Sequence, residues 1–192
     1  MIDPPAPIPA DTRDWTLVIA QGCRECGFMP QPPQVASSWL AGCAQAWAQR
    51  LQQPDSRSRP TPTTWSPLEY GAHVRDLSQV FRKRVVRTLT VDNPVLESWD
   101  QDQAAVEGNY FRQVPAQVGE QCARAVKDLA LTLESVRADQ WSRTASRADG
   151  WQFTLAELVN YYLHDVIHHL SDVGITFDSP AIDAGLPPEP SR

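Results

Sequence analysis

Four stretches of this 192-residue chain repeat their apolar residues at the roughly 3.6-residue period of an α-helix, and none alternates convincingly as a strand would. Four such stripes must be buried against one another, which a four-helix bundle does. The first stretch runs from about 34 to 52 with Val35, Trp39, Ala46 and Trp47 on its stripe. The prolines of PDSRSRPTPTT end it by removing amide donors and restricting the residues before them. The second opens with Ser66 as a cap, Pro67 in the first turn and Glu69 at capping-box spacing. Leu68, Tyr70, Val74, Leu77, Val80, Phe81 and Val85 then carry the period to about 89. The third covers about 115 to 137, with Val118, Cys122, Val126, Leu129 and Leu133 as its stripe, and Gly119 weakens its first turn. The last begins at Thr154 and Glu157, again a capping-box pair, and runs to Val173 before Gly174 offers a stop.

Between these stretches, NPVLESWDQDQAAVEGNYF predicts a loop holding a short helix capped by Asp100, and ADQWSRTASRADGWQF predicts a polar connection in which RADGW turns tightly. The expected organisation is an irregular segment over 1–33 packed on or near the bundle, an all-α bundle over 34–175 and a proline-rich tail over 176–192 laid on the surface. A chain of this length supports one core.

The formal net charge of −6 supplies no global field for phosphates. The one basic cluster, FRKRVVR at 81–87, has the spacing of a solvated helix face, so Arg75, Arg82, Lys83, Arg84 and Arg87 are expected in water and no nucleic-acid partner is expected. No stretch approaches the roughly 18 apolar residues of a membrane span. The opening residues carry prolines and acids in place of a secretory signal, which points to a cytoplasmic protein without a membrane partner. Among seven tryptophans, Trp65, Trp99 and Trp151 suit pocket walls. Surplus apolar surface on a bundle favours a homodimer.

The last helix contains YYLHDVIHHLSDV, residues 161–173. At about 100° per residue its apolar residues fill one broad arc. His164 and His168 lie four apart, roughly opposite the centre of that arc, where they would meet water or a partner subunit. Asp165 and His169, also four apart, lie at its edge, facing a seam between helices; Asp172 follows on the same side. Either pair could supply two metal ligands, with Asp165 or Asp172 as an orienting group. The remaining histidine, His73, falls inside the apolar arc of the second helix with no partner nearby in sequence. Of four cysteines, Cys23 and Cys26 in CRECGF match half of a zinc knuckle or a dithiol. A second half is missing from the sequence, which favours packing over an added metal ligand or a redox role.

WSPLEYGAHVRDL at 65–77, SWDQDQ at 98–103 and YYLHDVIHHLSDV together resemble the DinB-like superfamily, near mycothiol-dependent maleylpyruvate isomerase and related thiol transferases, over about residues 34–173. The resemblance implies a DinB-like four-helix bundle with a divalent metal, zinc or alternatively nickel, held by His73, Asp165 and His169. Members that use two histidines on the last helix make His164 and His168 the alternative pair. It also implies a metal-dependent thiol S-transferase or isomerase using a low-molecular-weight thiol such as mycothiol or bacillithiol. A non-catalytic metal-binding or structural helical dimer is the alternative.

Overall fold

The computed structural model describes residues 5, 8, 9, 11 and 13–177. In chain order its elements are α1 (Val18–Gln21), α2 (Ala36–Arg50), α3 (Pro67–Thr90), β1 (Val95–Leu96), α4 (Gln101–Glu107), α5 (Pro115–Glu134), β2 (Thr144–Arg147), β3 (Gln152–Thr154) and α6 (Leu155–Asp172). The four long helices fall close to the predicted spans because their end signals are local. Ser66 accepts the Glu69 amide at 3.3 Å while the Glu69 carboxylate accepts the Ser66 amide at 2.9 Å. Thr154 and Glu157 repeat the arrangement at the start of α6. Each such cap is worth about 1 kcal/mol. Asp100 caps α4 by accepting the amides of Asp102 and Gln103.

Helices α5 and α6 each pack against both α2 and α3. Gly119, a weak helix former by itself, sits where α5 meets α2: a side chain there would start 3.4 Å from Leu51 Cβ. The core is built from Leu40, Trp47, Phe81, Leu129, Leu158 and Tyr162, all nearly inaccessible. Tyr162 Oη and Ser78 Oγ, 2.7 Å apart, satisfy each other inside it.

Two features add detail that the helical pattern does not carry. First, β1, β2 and β3 form a small sheet, with β1 parallel to β2 and β2 antiparallel to β3. Its strands have two to four residues, too few for alternation to stand out, yet Leu96, Ala145 and Phe153 enter the core. The expected tight turn lies between β2 and β3, with Gly150 at φ +88°. Second, the segment before α2 is docked on α6. A 3-10 turn at Trp15–Leu17 leads into α1, and Val18, Cys23 and Phe28 are buried. Asn160 of α6 clasps this segment, accepting from the Gln31 amide at 2.7 Å and donating to the Gln31 carbonyl at 2.9 Å.

At the other end, Phe177 packs on Trp39, with ring centroids 6.1 Å apart. The remainder of the expected tail, 178–192, lies outside the described residues. Among the described residues no helix is long and apolar enough to cross a membrane.

Candidate metal centre

His73 sits in the middle of α3, and the helix period turns it inward as its arc predicts. It has no solvent exposure, and neither ring nitrogen has a hydrogen-bond partner. Trp65 and Trp99 flank its ring at centroid distances of 5.5 Å, the second stacked at 22°. The short pairing of β1 with β2 anchors the loop that presents Trp99.

Across the seam, α6 presents Asp165 and His169 one turn apart. Asp165 Oδ1 is 2.8 Å from His169 Nε2 and 3.9 Å from His73 Nε2. One donor atom from each of His73, Asp165 and His169 lies within 4.8 Å of the others. The other nitrogen of His169, Nδ1, is 2.8 Å from Asp172 Oδ2, the carboxylate–histidine pairing that sets an imidazole's tautomer in metal sites. Tyr70 covers His169, with ring centroids 4.7 Å apart.

The electrostatics follow from this crowding. Burial keeps His73 below the usual histidine range and therefore neutral. Burial would also lower His169, but Asp165 and Asp172 overcome it and hold the imidazole up at about 9. Burial likewise opposes ionisation of Asp165, and the charged His169 beside it outweighs that, leaving its carboxyl well below the ordinary range. Two imidazoles and one carboxylate, convergent, with His73 buried and the other two half-buried, form a donor set able to hold a divalent metal.

Asp165 lines two cavities. One, of about 370 Å³, is bordered by Trp65, Tyr70, Asp102, Tyr161 and the α6 histidines His164, His168 and His169, with Asp11, Arg13 and Trp15 from the amino-terminal segment. The other, of about 510 Å³, is bordered by Phe81, Trp99, Phe153 and Tyr161 and by two cations, Arg84 and Arg147.

The alternative pair has a different setting. His164 and His168 do not join His73; they cluster with Cys23 and Cys26. The expectation that this face of α6 meets water is corrected, since His164 is only 4 % exposed beneath Trp15 and Phe28. Helical angle alone could not register the amino-terminal segment that covers it. Burial pulls His164 down to about 4, lowers His168 as well, and pushes Cys26 up to about 12.

The basic cluster of α3 also divides. Arg82, Lys83 and Arg87 are exposed as expected, and Arg75 is bound to Asp76. Arg84 instead turns in along Phe81 to the wider cavity, where burial lowers its pKa. Trp65 and Trp99 are walls beside His73, whereas Trp151 is 48 % exposed on the strand turn and borders neither cavity at Asp165. Asp102, Tyr161 and Arg147 are site residues that sequence reasoning did not single out, although SWDQDQ contains Asp102 and YYLHDVIHHLSDV opens with Tyr161.

The sequence matches the DinB superfamily over residues 44–173, well over half of the chain. A solved structure, that of YfiT from Bacillus subtilis, is 14% identical and aligns at a TM-score of 0.67 over 73% of this chain and 83% of that one. YfiT is described as a probable metal-dependent hydrolase with an unusual four-helix bundle topology. At that identity the likeness is one of fold. No curated protein matches the sequence. A bundle of this topology, with a histidine–carboxylate cluster in its seam and a family match spanning that seam, makes this chain a member of the DinB superfamily.

Proposed function

We infer that the protein is a metal-dependent enzyme in which His73, Asp165 and His169 hold one divalent ion, zinc by its suitability for two imidazoles and a carboxylate, with nickel as the alternative. The carrying observation is His73, an imidazole without exposure and without a partner on either nitrogen. A buried polar atom left in that state costs about 1–3 kcal/mol, and a shared ion repays it. Three protein donors, fewer than a closed structural site uses, leave room for a fourth ligand. Asp165 borders both cavities, so that ligand would arrive from there.

When bound, the ion supplies Lewis acidity, lowering the pH at which a coordinated nucleophile loses its proton. The residues around it would do the rest. Asp172 orients His169 through Nδ1. Trp65 and Trp99 exclude water behind His73. Arg84 and Arg147 offer charge to an anionic group of the substrate in the wider cavity. Resemblance to the maleylpyruvate isomerase group supports a low-molecular-weight thiol such as mycothiol or bacillithiol as nucleophile, and hence transfer or isomerisation. A second reading, hydrolysis with water as nucleophile, draws on the fold shared with YfiT and its description as a probable metal-dependent hydrolase.

The test begins with metal analysis of protein purified without a metal-affinity tag, comparing wild type with His73→Ala, Asp165→Ala and His169→Ala. Each variant should lose one ion per chain; retention of that ion after loss of His73 overturns the site. Wild type is then offered a thiol with an activated electrophile, and separately an ester and an amide. Turnover that requires the thiol supports transfer, turnover without it supports hydrolysis, and inertness in both leaves a non-catalytic metal protein. A twofold homodimer belongs to the same reading, and sedimentation showing monomer alone at high concentration would refute it.

A further inference from the structure

Cys23, Cys26, His164 and His168 each bring one donor atom, and all four atoms lie within 4.8 Å of one another. Cys23 Sγ is 3.6 Å from His168 Nδ1. Sulfur and nitrogen at two corners of a zinc tetrahedron stand about 3.5 Å apart, given bonds of about 2.3 and 2.05 Å.

Two independent features point to an ion here. The first is the backbone that carries the sulfurs. Gly22 and Gly27 take left-handed φ values of +71° and +74°, and Cys23 N donates to the Phe28 carbonyl at 2.8 Å, folding CRECGF into a tight loop. A side chain at Gly22 would start 2.6 Å from the Phe28 carbonyl oxygen, so the loop is built around that glycine. The second is His164 Nε2, buried and without a hydrogen-bond partner. Trp15 packs 5.1 Å from the His164 ring and 4.8 Å from the His168 ring, and Phe28 lies 5.6 Å from His164, so aromatic rings cover the two imidazoles.

The geometry points to a second metal centre, a closed zinc site in which Cys23, Cys26, His164 and His168 tie the amino-terminal segment to α6. On binding, the two thiols release their protons to solvent. Two thiolates, two neutral imidazoles and a dication then sum to zero charge, with the Glu25 and Asp172 carboxylates 3.8 and 3.7 Å from His168 Nε2 at the edge. The His73 cluster, with one carboxylate, would keep a positive charge and a free position. Four protein donors leave the second ion no substrate, so its role is structural: it fixes the segment that supplies Asp11, Arg13 and Trp15 to the smaller cavity. Asp172 touches both centres, with Oδ2 on His169 Nδ1 and Oδ1 3.7 Å from His168 Nε2.

Cobalt(II) tests the site because thiolate ligation to cobalt produces a charge-transfer band that imidazole and carboxylate do not. Protein purified under reducing conditions and dialysed against a chelator should take two equivalents of cobalt, one developing that band. Cys43 and Cys122 are fully buried and Cys23 is nearly so, so alkylation reports chiefly on Cys26, and metal should slow it at least tenfold. His73→Leu should keep the band while losing one equivalent, and Cys26→Ser should lose the band. Absence of the band in wild type, or alkylation equally fast with and without metal, overturns the proposal. Should Cys26→Ser fail to fold, the wild-type spectrum and alkylation decide alone, and neither depends on whether the His73 cluster binds metal.

Discussion

Replacing His73 by leucine is expected to abolish metal binding at its cluster and yet stabilise the metal-free protein. Both His73 nitrogens are buried without partners, and Asp165 Oδ1 stands 3.9 Å from Nε2, too far for a hydrogen bond. Removing an unsatisfied buried polar atom recovers about 1–3 kcal/mol, and two are removed. Leucine has similar bulk, and imperfect fit between Trp65 and Trp99 returns up to about 1.5 kcal/mol. Asp165 retains His169 at 2.8 Å, so no carboxylate is stranded. The expected net gain is about 0.5–6 kcal/mol, one degree or more in Tm for a chain of this length. Urea denaturation of chelator-dialysed wild type and His73→Leu measures it, with metal content determined in parallel. A metal-free variant less stable than wild type by 1 kcal/mol or more would refute the reasoning, because His73 would then be an ordinary satisfied core residue.

Asp172→Asn keeps the shape beside His169 Nδ1 but removes the charge, so affinity at the His73 cluster should fall about 10–100-fold, read by competition with a chromophoric chelator. Asn160→Ala removes both links to Gln31; the amino-terminal segment should become cleavable under limited proteolysis, at a cost of about 1–3 kcal/mol. Tyr162→Phe leaves Ser78 bonded to the Val74 carbonyl and should cost about 0.5–1.5 kcal/mol in denaturant unfolding. Glu69 gives a pH dependence. Burial alone would raise its carboxyl, but Arg59 and Ser66 outweigh it and hold the value below the ordinary 4.5. Its folded pKa is therefore the lower one: the stabilisation is complete above the unfolded value and is lost as pH falls through the folded one. Glu69→Gln should lower stability at neutral pH by about 1–3 kcal/mol and flatten the acid limb of the stability profile.

What could be read from the chain by itself was whatever is encoded locally. The capping boxes at Ser66–Glu69 and Thr154–Glu157, the cap at Asp100 and the 3.6-residue stripes each depend on contacts within a turn or two, so the long helices and the inward turn of His73 were visible as sequence. The period also separated Asp165 and His169 from His164 and His168, because residues four apart share a face whatever packs on it.

Tertiary structure decided what each face meets. The sheet was hidden because its strands are two to four residues long and are held by pairing across separate loops. Arg84 leaves the solvated group only because a cavity opens beside Phe81, where helical angle alone indicates water. The face of α6 bearing His164 is polar in pattern and buried in fact, since a segment some 145 positions earlier brings Cys23 to within 3.6 Å of His168. CRECGF shows two donors and the last helix shows two more, but convergence of four side chains on one point is a property of distance in space, and sequence spacing across that interval carries no record of it.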